Sequence, residues 1–91
     1  MRSQARDGAV NMLSPAEQVA SAFVLFQASM MHKRTIEEIT GKSREAGLVN
    51  ARRDIAKELR DTYSFSLLQI GQVLGFRHHT TVLNLLDGKD E

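Results

Sequence analysis

The chain is predicted to be all-α, and three features of its 91 residues carry that expectation. Apolar residues recur at helical spacing, and no segment alternates strictly enough to read as a strand. Three capping boxes, Ser14–Glu17, Thr35–Glu38 and Ser66–Gln69, each open a periodic stretch. Isolated glycines, Gly41, Gly75 and Gly88, stand where periodic stretches stop. Five helices are expected, over about 14–33, 35–40, 48–62, 66–74 and 78–86. They form one domain, 14–91, behind a flexible arm of residues 1–13 that is polar and aperiodic.

The first helix opens at Ser14-Pro15-Ala16-Glu17, with Ser14 as N-cap and Pro15 in the first turn. Its apolar residues, Val19, Ala20, Ala22, Phe23, Val24, Phe26, Met30 and Met31, cover close to half the wheel. That is wider than the stripe of roughly 100° needed for one core contact. Two readings follow: a central helix packed on both flanks, or a helix whose Val24, Leu25 or Met31 reaches a homodimer mate or another protein. The second helix presents Ile36 and Ile39 inward, and a polar loop from Gly41 to Gly47 follows. The third buries Leu48, Ile55, Ala56 and Leu59. Its outer side carries Arg53, Lys57 and Arg60 beside Asp54, Glu58 and Asp61, with Lys57 at pairing distance from Asp54 or Asp61.

Tyr63-Ser64-Phe65 breaks that pattern. The fourth helix then buries Leu67, Ile70 and Leu74, and Gly71 admits a close neighbour. The fifth buries Val82 and Leu86, which leaves His79, Thr80 and Thr81 near its amino end. Two short helices joined by Gly75-Phe76-Arg77 have the lengths and punctuation of a helix-turn-helix, whose second helix touches base edges with its first turn.

Composition narrows the function classes. There is no cysteine, so disulfides and thiolate metal sites are excluded and a reducing cytoplasm is expected. No segment has the length of a membrane span, and no signal-peptide core follows Met1. Net charge is only +1, but from Gly41 to Thr80 the bases Lys42, Arg44, Arg52, Arg53, Lys57, Arg60 and Arg77 outnumber the acids Glu45, Asp54, Glu58 and Asp61. Positive charge is therefore local, as a nucleic-acid footprint requires.

Ser66-Leu67-Leu68-Gln69-Ile70-Gly71, followed by Gly75-Phe76-Arg77-His78-His79-Thr80-Thr81-Val82-Leu83, resembles the signature of the DNA-binding domain of the bacterial replication initiator DnaA. That signature reads Ser-Leu-Pro-Glu-Ile-Gly, then Gly-Gly-Arg-Asp-His-Thr-Thr-Val-Leu. Ala51-Arg52-Arg53 and Ala56-Lys57-Glu58-Leu59 resemble the family's preceding helix, so the likeness covers residues 31 to 86; it does not extend to the initiator's ATPase module, and a standalone small protein is expected. The resemblance implies a DnaA and Trp-repressor type of fold and a double-stranded DNA partner. It implies that His79 and Thr80 touch bases and that Arg77 and Thr81 sit nearer phosphate. Arg44 is implied to enter the minor groove, Arg52 and Arg60 to hold phosphates, and Lys42, Arg53 and Lys57 to add charge. Two positions depart from the family. His78 replaces Asp, a better cap and a hydrogen-bond acceptor, so His78 should alter the preferred base. Phe76 replaces a turn glycine.

Other chemistries lack support. Gly41-Lys42-Ser43 resembles the end of a phosphate loop, but the motif needs a glycine where Ile36 stands, so no nucleotide is expected. His78 and His79 diverge by a helical step and His32 is distant, so neither a metal nor another cofactor is expected. No strand-and-elbow context supports a catalytic serine, and the chain is not expected to be an enzyme. The expected function is a sequence-preferring DNA-binding regulator of transcription or replication, of phage or mobile-element type and associated with the nucleoid. The alternative is an interaction module whose first helix binds or inhibits an initiator or polymerase.

Overall fold

Helix α3 (Ala46–Asp61) is the central element: helices on either side of it in the sequence pack against it. The computed structural model describes residues 13–76 and 78–88, so the arm lies outside it except for Leu13, which is half-buried against the core. The other helices are α1 (Pro15–His32), α2 (Ile36–Ile39), α4 (Leu67–Leu74) and α5 (His79–Leu86), and the described residues contain no strand. The all-α expectation of five helices holds.

All three capping boxes form. Ser14 Oγ accepts from the Glu17 amide at 3.2 Å, and the Glu17 carboxylate accepts from the Ser14 amide at 2.9 Å. Thr35 with Glu38 and Ser66 with Gln69 repeat that geometry. Each box satisfies two amides that the first turn would otherwise leave without partners. Two boxes also meet: Gln69 Nε2 donates to Glu17 Oε1 at 3.2 Å, joining the amino ends of α1 and α4.

The core consists of Leu48, Ala51, Ile55, Ala56 and Leu59 of α3, with Ile39, Phe65, Ile70, Leu74, Val82 and Leu85 around them. From α1 it takes only Val24 and Ala28, with Ser21 alongside. The buried strip of α1 is thus mostly small residues, which let it lie close to α3, and the Ser21 hydroxyl is satisfied by the Gln18 carbonyl at 3.0 Å. Val24 is therefore a core residue and cannot serve a partner, which corrects that expectation; Leu25 is half-buried, and Met31 is exposed. α1 is also not the doubly packed central helix of the other reading, because Val19, Phe23, Phe26 and Met30 are exposed.

Three further positions differ from the helical-wheel reading. Ile36, at the first position of a four-residue helix, is at the exposed rim, and only Ile39 is buried. Leu85 rather than Leu86 is the inner residue of α5, one step round the wheel. Phe65 is buried: Ser64 adopts φ 60°, and the Phe65 amide donates to the Leu59 carbonyl at 3.0 Å, turning the ring back under α3.

Candidate nucleic-acid interface

α4 and α5 are joined by a turn built on Gly75. The glycine has φ 84°, and the Phe76 amide donates to the Gly71 carbonyl at 2.8 Å, closing α4. A Cβ on Gly75 would lie 2.9 Å from the Thr40 carbonyl oxygen, so the turn rests directly on the end of α2. Gly71 is less constrained, since a Cβ there would meet a Val82 methyl at an ordinary 3.5 Å.

Val82 and Leu85 anchor one side of α5 in the core, which leaves His78, His79, Thr80 and Thr81 exposed at its amino end. His78 is the N-cap residue in extended backbone, but its side chain makes no capping hydrogen bond. The first turn of α5 therefore keeps amides without a side-chain acceptor at the positive end of the helix, a setting that favours an anion. Exposed hydroxyls, a threonine methyl and two imidazoles beside that end can donate, accept and make apolar contact at base edges.

The basic residues separate into groups. Lys42 and Arg44 are exposed on the loop that leaves Thr40, the residue under the Gly75 turn. Arg60 is exposed on the last turn of α3. Arg77 lies outside the described residues. Arg52 and Arg53 are committed elsewhere, and Lys57 stands apart from the turn on α3.

Arg52 is the main correction. Instead of facing phosphate it is 4% exposed, and Nε donates to the Ile39 carbonyl at 2.6 Å. Nη2 donates to the Glu38 and Gly41 carbonyls, each at 3.2 Å. The guanidinium thus caps the negative end of α2, and burial lowers its pKa below the ordinary arginine value. Arg53 is half-buried, with Nε donating to the Leu85 carbonyl at 2.9 Å; that is the opposite end of α5 from His79. Lys57 is exposed beside an open groove between α1 and α3 lined by Ala28, Met31 and Ile55 among others. Asp54, one of the two mates expected for Lys57, instead meets His32 Nε2 at 2.8 Å.

The loop is also held from its far side. Arg34 Nη1 donates to Glu45 Oε1 at 3.0 Å, and this bond, with the charge of Arg34, lowers the pKa of Glu45. Glu45 occupies the N-cap position of α3 without capping it, because its carboxylate is spent on Arg34. Helix α3 begins at Ala46, two residues before the position expected from its apolar period. Among the described residues no cluster of His, Asp and Glu could hold a metal, and no helix is long and apolar enough to cross a membrane.

The chain is similar in sequence to known proteins. Over 75 residues the chain is 35% identical to the chromosomal replication initiator protein DnaA of Thermomicrobium roseum. The match takes in 82% of this chain and 16% of that protein. No family model matches the chain, and no solved structure matches it at a significant level.

Proposed function

We propose that the chain is a sequence-preferring, double-stranded DNA-binding module in which α4, the Gly75 turn and α5 act as a helix-turn-helix and the first turn of α5 reads base edges. The carrying observation is the exposed run from His78 to Thr81 on a helix fixed from behind by Val82 and Leu85, in a chain similar to DnaA. Lys42 and Arg44, on the loop beside the turn, supply the flanking contact, in the minor groove or on phosphate. Arg60 adds a separate phosphate contact and Arg77 another. The module acts by occupying DNA, in control of replication or transcription, without catalysis or a cofactor of its own.

Selection of bound duplexes from a random pool tests this directly. An enriched motif is expected, with binding that weakens as salt rises. Three or four phosphate contacts imply a slope of log K against log salt of about −3 to −4. Thr80→Ala and His79→Ala should each erode the motif by about 1–3 kcal/mol while binding to arbitrary DNA survives. No retention of duplex at low salt would overturn the reading.

A further inference from the structure

From Gln18 to Met31 the chain contains no charged residue, although one whole face of this part of α1 is turned to solvent. On that face Val19, Phe23, Phe26 and Met30 are all more than half exposed. Their spacing is four, three, four, the seam of a two-helix coiled coil rather than the broader stripe that packs on a globular core. The core-facing residues Ser21 and Ala28 lie on the opposite side. The flanks of the seam are Ala20, Ala22, Gln27 and Ser29, small or uncharged, so a second helix can approach without like-charge repulsion.

The geometry points to a second copy of this chain as the occupant, with the two α1 helices paired antiparallel about a two-fold axis between Val24 and Leu25. In that register Phe23 meets the second copy's Phe26, and Val19 meets its Met30. Every layer thus joins one a-type and one d-type position, as antiparallel pairing requires. The two helix dipoles also oppose in this arrangement, whereas in a parallel pair they would align. The four exposed side chains of the seam leave roughly 500 Å² on each copy, so even complete burial removes at most about 1,000 Å² in all, the size of a weak, concentration-dependent pair. A two-fold pair is self-complementary and closes, which disposes of the apolar face without leaving a further sticky surface.

This inference does not rest on DNA binding and can fail or hold independently of it. The full chain is tested by sedimentation over a wide concentration range and by cross-linking, which the absence of native cysteine makes clean. Val19 and Met30 are eleven residues apart, about 16 Å along the helix. Val19→Cys and Met30→Cys should therefore stay reduced alone and form a disulfide when the two variants are mixed. Phe23→Glu with Phe26→Glu should give a monomer whose circular dichroism is unchanged, since neither ring is in the core. Efficient cross-linking of each cysteine variant with itself would overturn the antiparallel pair. A wild-type chain that is monomeric at every concentration would overturn the dimer altogether, and would leave this face to another protein or to residues 1–12.

Discussion

Arg52 donates to the Ile39 carbonyl, 13 residues away in sequence, and through it the buried side of α3 holds the end of α2 in place. Arg52→Ala removes donors from three carbonyls at once, two of them in the half-exposed rim and one in the interior. The expected loss is about 2–4 kcal/mol, read as a lower urea midpoint. Below its unfolding transition the variant should keep the wild-type salt slope for DNA. Arg60→Ala should do the reverse, leaving the midpoint within about 0.5 kcal/mol and flattening the slope by about one unit. If Arg52→Ala flattened the slope and spared the midpoint, its carbonyl contacts would be incidental.

Gly75→Ala and Gly71→Ala form a matched pair. The first asks an L-residue to hold φ 84° and sets a methyl against the Thr40 oxygen, which is backbone and cannot swing aside. A cost of more than about 1 kcal/mol is expected. The second adds a methyl at ordinary contact distance and improves helix propensity, so its melting temperature should stay near wild type. Equal melting temperatures for both variants would remove the special role assigned to the turn.

His78→Asp fills a vacant capping position. Because His78 makes no side-chain cap, an aspartate there should stabilise the free protein by about 0.5–2 kcal/mol, an effect measurable without DNA. With DNA, the acceptor should shift one position of the selected motif toward cytosine. Unchanged stability and an unchanged motif would together show that residue 78 neither caps nor reads.

Glu45 gives a pH dependence with a definite sign. Arg34 lowers its folded pKa, so its stabilising contribution is complete above the ordinary glutamate pKa and fades as pH falls through the depressed folded value. Comparing urea midpoints of wild type and Glu45→Gln from neutral pH downward should give a constant gap that closes below about pH 4. Because the pair is exposed, the gap should also narrow in high salt. A gap that widened in acid would contradict the ion pair.

What was legible in the sequence was the local chemistry. Ser14, Thr35 and Ser66 cap as expected because a capping box needs only residues three apart, and Gly75 announces its turn through the same short range. The fate of Arg52 was hidden because its acceptors are brought near only by tertiary packing; as a residue type it looks the same on phosphate or in a core. On α1 the helical wheel left two readings open, a helix packed on both flanks or one with an apolar face outside the core. Large side chains dominate such a wheel, whereas close approach to α3 selects Ser21 and Ala28, and the large residues are left outside. On α5 the exposed run from His79 to Thr81 followed from the buried Val82, since fixing one buried position of a two-turn helix fixes which side remains; Leu86, read as buried with it, is half-buried.

The carbonyl end of α2 has a further consequence for how the molecule breathes. Four residues cannot sustain a helix unaided, and an isolated turn would exchange its amide hydrogens almost freely. Here the carbonyls of Glu38, Ile39 and Gly41 hold Arg52, and that of Thr40 lies against Gly75. The amides of Ile39, Thr40 and Gly41, bonded to Thr35, Ile36 and Glu38, can then open only when α3 or the turn before α5 lets go. The shortest helix should consequently exchange with deuterium as slowly as the core of α3, and its loosening would report directly on the loosening of the Gly75 turn.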